Sequence, residues 1–236
     1  MNGFALALAV FVLLHVGISA TGLRARIVSR IGEGPYRGLF SVASLAVLAW
    51  MVMGFRVMRA DPFDPLNEGL WWPPAWLHWP AIVIVGLGFL LGVTGLLSPG
   101  PTLAGFEARA LAQEEPARGA LRITRNPFLW GVALWAAGHL LANGERWAVM
   151  LFGALGAMAL FGARSIDRKG AARNPELWAK FAAATSNIPF AAIVQGRNKL
   201  VISELWWRLL AAIAVFLIVG FAHRSLFGAA VFSTLR

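Results

Sequence analysis

The chain has 236 residues, of which 58% are hydrophobic and only 14% are charged, and its mean hydropathy is +0.67. A soluble domain carries about a quarter charged residues, so this composition excludes an ordinary soluble protein and predicts a membrane protein. The absence of cysteine excludes a disulfide scaffold, an iron–sulfur protein, a thiol enzyme and covalently attached c-type haem. The net charge of +10 has two possible explanations, nucleic-acid binding and membrane topology.

Six windows along the chain are apolar enough to form the helix of about 20 residues that crosses a bilayer. They are residues 2–22, 38–55, 81–98, 127–144, 147–163 and 205–222. A signal peptide is the alternative for the first window, but this window lacks a basic leading region and a convincing cleavage site. The sequence therefore predicts an all-α, polytopic membrane bundle of about six transmembrane helices, with residues 1–236 forming a single domain.

The basic residues alternate between the two sides of this predicted bundle. Most of the 21 lysines and arginines lie in the loops that follow the first, third and fifth windows. Cytoplasmic loops carry the excess of positive charge in membrane proteins, so we expect both termini outside the cytoplasm. This distribution favours membrane topology over nucleic-acid binding. It predicts a multi-pass protein of a bacterial-type inner membrane, with membrane lipids as partners.

The predicted outer loop at residues 59–80 is rich in tryptophan and proline. Its tryptophans are Trp71, Trp72, Trp76 and Trp79. Tryptophan is enriched at the headgroup level of membranes, so we expect this loop to lie on the outer interface; the alternative is that it covers the mouth of a cavity. On the inner side, residues 171–199 do not form a span, and their apolar stretch 188–194 is interfacial or re-entrant.

Two of the four histidines, His15 and His139, lie inside predicted spans, where a polar side chain needs a partner or a function. One explanation is an interhelical hydrogen bond, and the other is metal binding. Zinc is poorly supported because no cluster of three or four ligands is evident, whereas two imidazoles can hold a haem iron between them. Their predicted depths differ by roughly 13 Å, so His78 is an alternative partner for His139.

Three blocks of sequence resemble the NnrU family, which includes the plant 15-cis-ζ-carotene isomerase. The first block is the most specific and contains residues 15–20, 23–24, 31–33, 36–40 and 44–45. The second contains Thr124-Arg125-Asn126-Pro127, Leu129-Trp130-Gly131, Trp135, His139 and Asn143-Gly144, with Asp167-Arg168 after the next span. The third contains residues 185–193 and Gly196-Arg197. Together the blocks cover most of the chain in the family's order.

The resemblance implies a membrane protein that holds haem b non-covalently, with His15 and His139 as both axial ligands and catalytic residues. The implied activity is a redox-gated cis–trans isomerisation of a lipophilic polyene such as 15-cis-ζ-carotene. The alternative is a haem sensor or accessory factor in nitric oxide and nitrite metabolism, without catalysis of its own. The small-molecule partner is accordingly a lipophilic substrate or nitric oxide.

Arg24, Arg37 and Arg125 lie at predicted cytoplasmic ends of spans. Arginines at such positions ordinarily set topology and contact phosphate headgroups. In the alternative interpretation, one or two of them bind the haem propionates or the carboxylate of Glu33. On this alternative, the three arginines are candidate cofactor-binding residues.

The chain departs from the family's pattern at two positions. Asn126 stands where the family, and the distantly similar isoprenylcysteine carboxyl methyltransferases, often have histidine in an Arg-His-Pro motif. Since that motif serves S-adenosylmethionine binding in the methyltransferases, its change disfavours a methyltransferase. Ala136 stands where the isomerase has a cysteine one turn before its second ligand, so a mechanism of ligand exchange through that thiol is excluded here.

Overall fold

The computed structural model describes residues 3–18, 21–103, 105–106, 110 and 114–232. Within these ranges the regular structure is helical, with no β-strand and one isolated bridge between Gly69 and Glu145. The all-α fold class is therefore confirmed. The described helices are α1 Gly3–Val12, α2 Gly22–Ile31, α3 Glu33–Ala60, α4 His78–Leu96, α5 Pro127–Ala142, α6 Arg146–Arg173, α7 Pro175–Ala184, α8 Ala191–Val194 and α9 Trp206–Phe227.

Five of the six predicted windows each fall on a single apolar helix, whereas the described part of the first window covers α1, the turn Leu13–Ile18 and the start of α2. Residues 2, 19 and 20 of that window lie outside the described residues. In the described part of the chain, four helical stretches are long and apolar enough to cross a membrane: Glu33–Ala60, Ala75–Leu96, Arg146–Arg173 and Trp206–Phe227. A fifth crossing is available if Gly3–Ile18 and Gly22–Ile31, which are bent by 78°, form one broken span. The prediction of a membrane protein is confirmed, whereas the count of six spans and the placement of the termini stay predictions.

Helix α5 is shorter than a helix that crosses the hydrocarbon core of a bilayer. Its 16 residues extend about 24 Å at 1.5 Å per residue, which is less than the roughly 30 Å of a hydrocarbon core. It begins at Pro127, a residue whose fixed φ suits the first helical position. The segment at 171–199 contains only the end of α6 and the short helices α7 and α8, as expected for a region that does not span.

The outer loop between α3 and α4 presents its aromatic side chains outward. Trp72 and Trp76 are 82% and 69% exposed. The loop backbone is attached where Leu70 N–H donates to the Gly144 carbonyl at 2.7 Å and Arg146 N–H donates to the Glu68 carbonyl at 3.0 Å. Exposed tryptophans on a fixed loop are suited to the headgroup layer, and their anchoring role stays a prediction.

The chain divides into two compact units, each built from two segments. The first unit contains Met1–Leu77 and His139–Met158, and the second contains His78–Gly138 and Ala159–Arg236. In the first unit, α1 and α3 approach closely at Gly54, where an added Cβ would lie 2.7 Å from the Phe4 backbone nitrogen. The rings of Phe4 and Phe55 lie 5.7 Å apart beside this crossing. The single domain expected for residues 1–236 stays a prediction.

In the second unit, α4 and α5 cross backbone to backbone through glycines. A Cβ at Gly88 would lie 2.8 Å from the Gly131 carbonyl oxygen, and a Cβ at Gly131 would lie 2.5 Å from the Gly92 Cα. In lipid, helices associate through close van der Waals packing because no hydrophobic effect drives them together. The glycines are therefore what allows α5, which carries candidate site residues, to pack on α4.

This crossing predicts unequal effects for two neighbouring substitutions on α4. Gly88→Ala should destabilise the protein by about 1–3 kcal/mol, because the new methyl group meets backbone atoms that cannot move away. Gly86→Ala is the matched control, since its Cβ would lie an ordinary 3.6 Å from the Phe216 ring. Denaturation in mixed detergent micelles, followed by circular dichroism, measures both. Equal stabilities of the two variants would contradict this account of the crossing.

Candidate functional site

His15 lies in a π-helical turn, Leu13–Ile18, that directly follows α1. Such turns are rare in proteins and occur frequently at functional sites. The Nδ1 atom of His15 is 2.9 Å from the carbonyl oxygen of Phe11. A carbonyl oxygen only accepts, so Nδ1 carries the proton and Nε2 of the neutral ring keeps its lone pair. Metal-binding histidines usually have this arrangement, in which a hydrogen bond holds the second ring nitrogen.

Two phenylalanine rings flank the half-buried His15 imidazole. The ring centroid of Phe11 lies 4.2 Å away with an interplanar angle of 31°, and that of Phe40 in α3 lies 5.1 Å away with an angle of 71°. Phe40 in turn lies 5.8 Å from the ring of Tyr36. These contacts orient the imidazole and surround it with apolar groups.

The glycines on the segments that carry His15 and Phe40 are not packing glycines. A Cβ added at Gly17, Gly34 or Gly38 would meet no atom of the described residues within 4 Å. Glycine in a helix costs about 1 kcal/mol relative to alanine, and close packing of another described element does not explain that cost here. Gly17 and Gly38 stand two positions from His15 and Phe40, so their open sides do not face these two rings.

Arg24 and Arg37 share one carboxylate. Arg24 Nη2 lies 2.5 Å and Arg37 Nε lies 2.8 Å from the same oxygen of Glu33, Oε1. The Arg24 guanidinium also lies over the Tyr36 ring at 5.3 Å. The structure thus places both arginines on Glu33, the alternative partner expected from the sequence. Arg24, Arg37 and Glu33 lie in the same unit as His15.

His139 lies in the last turn of α5. Its ring stacks on Phe152 of α6, with centroids 4.5 Å apart and an interplanar angle of 26°. Its carbonyl oxygen accepts a hydrogen bond from Asn143 Nδ2 at 2.7 Å. Phe152 also lies 6.0 Å from the buried Trp147 ring. Both predicted ligands, His15 and His139, belong to the first compact unit.

The other two histidines use a ring nitrogen to bind backbone carbonyls near the end of the chain. His78 Nε2 lies 3.0 Å from the Val231 carbonyl oxygen, and His223 Nδ1 lies 2.7 Å from that of Ala229. Among the described residues no group of three or more His, Asp and Glu side chains is arranged to hold a metal ion. A site with two histidine ligands does not need such a group.

A polar cluster in the second unit brings the second and third resembling blocks together. Asn126 Nδ2 donates to Asp167 Oδ1 at 3.0 Å and to Asn187 Oδ1 at 3.3 Å. The Arg125 guanidinium pairs with the other Asp167 oxygen at 3.3 Å, and Trp130 Nε1 donates to Asn187 Oδ1 at 3.3 Å. Arg125 therefore has its own carboxylate partner here. These contacts were not predicted from the sequence, although all five residues lie in the blocks that resemble the family.

A second charged cluster ties the segment before α9 to the 3₁₀ turn at Gly119–Arg122. The buried Arg122 side chain donates to both carboxylate oxygens of Glu204, at 2.9 and 2.8 Å, and to Glu115 at 2.8 Å. Glu204 also accepts from the Gly119 N–H at 2.6 Å. These hydrogen bonds lower the pKa of Glu204 to about 2 and raise the pKa of Arg122 above its usual value. The cluster is an internal clamp, since every charge in it faces an opposite one.

Comparison with known proteins gives a consistent set of matches. The chain matches the family described as "NnrU protein" over residues 3–231. It is 29% identical over 199 residues to the chloroplastic 15-cis-zeta-carotene isomerase of Zea mays, covering 81% of this chain and 50% of that protein. It is 42% identical over 82 residues to the corresponding protein of Arabidopsis thaliana, covering 35% of this chain and 22% of that protein. The chain thus spans half or less of these relatives' lengths, and no solved structure gives a significant match.

Proposed function

Because this chain belongs to the NnrU protein family, we propose that it is a membrane-embedded cis–trans isomerase of a lipophilic polyene such as 15-cis-ζ-carotene. The similarity to the maize isomerase, which extends over 81% of this chain, supports an isomerase of this type. The long apolar helices support it as well, because a polyene hydrocarbon dissolves in the bilayer that such helices occupy. A bacterial-type inner membrane is part of the same proposal.

The proposed cofactor is haem b, with His15 and His139 as its axial ligands. The observation that carries this assignment is the His15 ring, whose Nδ1–H is held by the Phe11 carbonyl so that Nε2 is available as a ligand. The Phe11 and Phe40 rings beside it provide the apolar surroundings that a macrocycle needs. When bound, an iron porphyrin would supply redox chemistry that the side chains of this protein lack.

The two histidines are held to different degrees. The His139 ring is stacked on Phe152, and its backbone carbonyl is bound by Asn143. His15 lies instead in a π turn, which departs from the regular hydrogen bonding of the helix before it. If both histidines hold the group, we therefore expect His139 to be the rigidly placed side chain and His15 to be the side chain that can move.

In this proposal the arginines bind the propionate carboxylates of the haem. Arg24 and Arg37 lie together on Glu33, and guanidinium groups form strong charge-assisted hydrogen bonds with a carboxylate such as a propionate. Arg125 pairs with Asp167 in the second unit. It is the third arginine that the sequence predicts to bind the cofactor.

The test is an isomerisation assay on the purified, haem-loaded protein in detergent. We expect 15-cis-ζ-carotene to be converted when the protein is reduced and to stay unchanged when it is oxidised, as followed by chromatography of the isomers. Carbon monoxide should bind the reduced protein, because one histidine can leave. Carbon monoxide binding without conversion would favour the sensor of nitrogen-oxide metabolism. Failure of carbon monoxide to bind would exclude both functions.

A further inference from the structure

The chain between α7 and the segment before α9 contains a compact loop, residues 185–198, whose two ends are tied together. Arg197 Nη1 donates to the Thr185 carbonyl at 2.9 Å, and Asn198 Nδ2 donates to the Ala184 carbonyl at 2.8 Å. Compact loops whose ends lie side by side are packed by their own side chains and are frequently functional. This loop is therefore a defined element of the second unit.

Hydrogen bonds also attach the loop to the residues that precede α5. The Arg125 N–H donates to the Ser186 carbonyl, and the Phe190 N–H donates to the Ile123 carbonyl, both at 2.8 Å. The apolar helix α5 begins shortly afterwards, at Pro127. The loop thus lies at the end of an apolar helix, which is the level at which a bilayer changes from hydrocarbon to headgroups.

Three large apolar side chains of the loop, the apolar tip, are exposed. Ile188, Phe190 and Val194 have exposed fractions of 65%, 49% and 84%. The backbone of Phe190 has a φ of 63°, in the left-handed region that a bulky residue rarely adopts. Large apolar side chains that are exposed together mark a surface that contacts a protein or a membrane.

Exposed basic side chains lie next to this loop. Asp167 of α6 is close to it, because Asn126 Nδ2 donates to both Asp167 and Asn187. Two basic residues stand within one turn of Asp167 on α6, and a third directly follows the loop. These exposed residues, the basic rim, are Arg164, Arg168 and Lys199. Anionic lipid headgroups attract basic side chains that lie near the membrane surface.

We propose that the apolar tip inserts into the adjacent leaflet of the membrane and that the basic rim binds anionic lipid headgroups. Segments that lie in a membrane interface combine apolar side chains with lysine and arginine in this way. Insertion would also remove the apolar surface of the tip from water, which is favourable. Of the two sequence-based alternatives for residues 188–194, interfacial and re-entrant, the proposal selects the interfacial one. It is independent of the proposed isomerase activity.

The absence of cysteine allows the tip to be tested with a single label, because an introduced cysteine is the only one in the chain. Val194→Cys carries a nitroxide on the tip, and the matched control Glu176→Cys carries one on the exposed first turn of α7. Each full chain is reconstituted in vesicles of phosphatidylcholine and phosphatidylglycerol. Electron paramagnetic resonance then measures collisions of the label with oxygen, which is enriched in the bilayer, and with a water-soluble nickel chelate.

We expect the ratio of oxygen to nickel accessibility to be several-fold higher at position 194 than at position 176. Equal ratios would mean that the tip lies in water, and would overturn the proposal. A label at position 194 that neither reagent reaches would also overturn it, because a second copy of the chain would then cover the tip.

A variant with a polar tip checks that the apolar side chains cause the insertion. Ile188→Asn combined with Phe190→Asn should preserve the shape of the loop, since asparagine tolerates the left-handed backbone at position 190. The ratio of oxygen to nickel accessibility at position 194 should fall in this variant. An unchanged ratio would contradict insertion of the apolar tip.

The basic rim is tested with a fluorescent label on the Val194→Cys protein. Spin-labelled phosphatidylglycerol should quench this label more strongly than spin-labelled phosphatidylcholine at the same mole fraction. Each basic residue near the surface favours anionic lipid by about fivefold at low ionic strength, so the difference should disappear when Arg164→Gln, Arg168→Gln and Lys199→Gln are combined. Equal quenching by the two lipids before these substitutions, or an undiminished difference after them, would overturn headgroup binding by the rim.

Discussion

His15→Ala and His139→Ala should each lower haem affinity by more than tenfold, or leave the protein without haem after purification. Each substitution removes one of only two proposed iron ligands, and even loss of a group that merely orients a ligand costs about 10–100-fold in metal affinity. The ratio of Soret to protein absorbance after haem loading measures the effect. Circular dichroism of each variant checks that the helices are intact.

The matched controls are His78→Ala and His223→Ala, which should keep haem. Both side chains bind backbone carbonyls near the end of the chain, and neither is surrounded by the two flanking phenylalanines that His15 has. Loss of haem in His78→Ala together with retention in His15→Ala would assign the site to His78 and His139. Retention of haem in His139→Ala would contradict either pair.

Arg122→Ala should destabilise the protein by about 3–5 kcal/mol, the usual consequence of removing one member of a buried ion pair. The substitution leaves Glu204 with a single donor, the Gly119 N–H, and removes the hydrogen bonds to Glu115 and Asn198. Denaturation in mixed micelles measures the loss. The effect should be local to the second unit, where all these partners lie.

The matched control is Arg146→Ala, which breaks an ion pair of the same 2.8 Å length with Glu68. The Arg146 and Glu68 side chains are 42% and 61% exposed, against 6% and 25% for Arg122 and Glu204. An exposed pair contributes only about 0–1 kcal/mol, so the loss of stability in Arg122→Ala should be several-fold larger than the loss in Arg146→Ala. Similar losses in both would show that burial does not set the strength of the Arg122 clamp.

The same clamp predicts how stability depends on pH. The pKa of Glu204 falls from 4.5 to about 2 in the folded protein because Arg122 and the Gly119 N–H stabilise its carboxylate. A lowered pKa contributes stability above pH 4.5, and this contribution is lost as the pH falls towards 2. The decline in stability over this range should be shallower in Glu204→Gln. An identical decline in both proteins would assign it to other carboxylates.

The long apolar helices could be predicted from the sequence because their length and composition are properties of one continuous segment. The π turn at Leu13–Ile18 could not, since it interrupts an apolar run whose composition does not change there. The surroundings of a glycine could not be predicted from the sequence either. Gly88 packs against a backbone and Gly17 faces open space, yet both stand in similar apolar surroundings along the chain.

The candidate site was predictable only in part. His15 and His139 could be chosen because an imidazole inside an apolar span is unusual. The cluster of Asn126 with Asp167 and Asn187 could not, because the partners lie 41 and 61 residues away and polar residues near span ends are ordinary. The sharing of Glu33 by Arg24 and Arg37 was among the alternatives, since four residues separate Glu33 from Arg37 on one helix.

The π turn before His15 takes up one residue more than a regular helix would use. Its wide i→i+5 turns advance by less per residue than the about 100° of an α-helix, so the six residues Leu13–Ile18 cover roughly the rotation of five α-helical ones. Deletion of Leu14 should therefore restore a regular helix and keep Phe4, which is buried beside Gly54, nearly aligned with α3. The imidazole of His15, which lies against Phe40, would instead lose the local geometry of the wide turn, so an in-frame loss of this one codon should affect the histidine more than the fold.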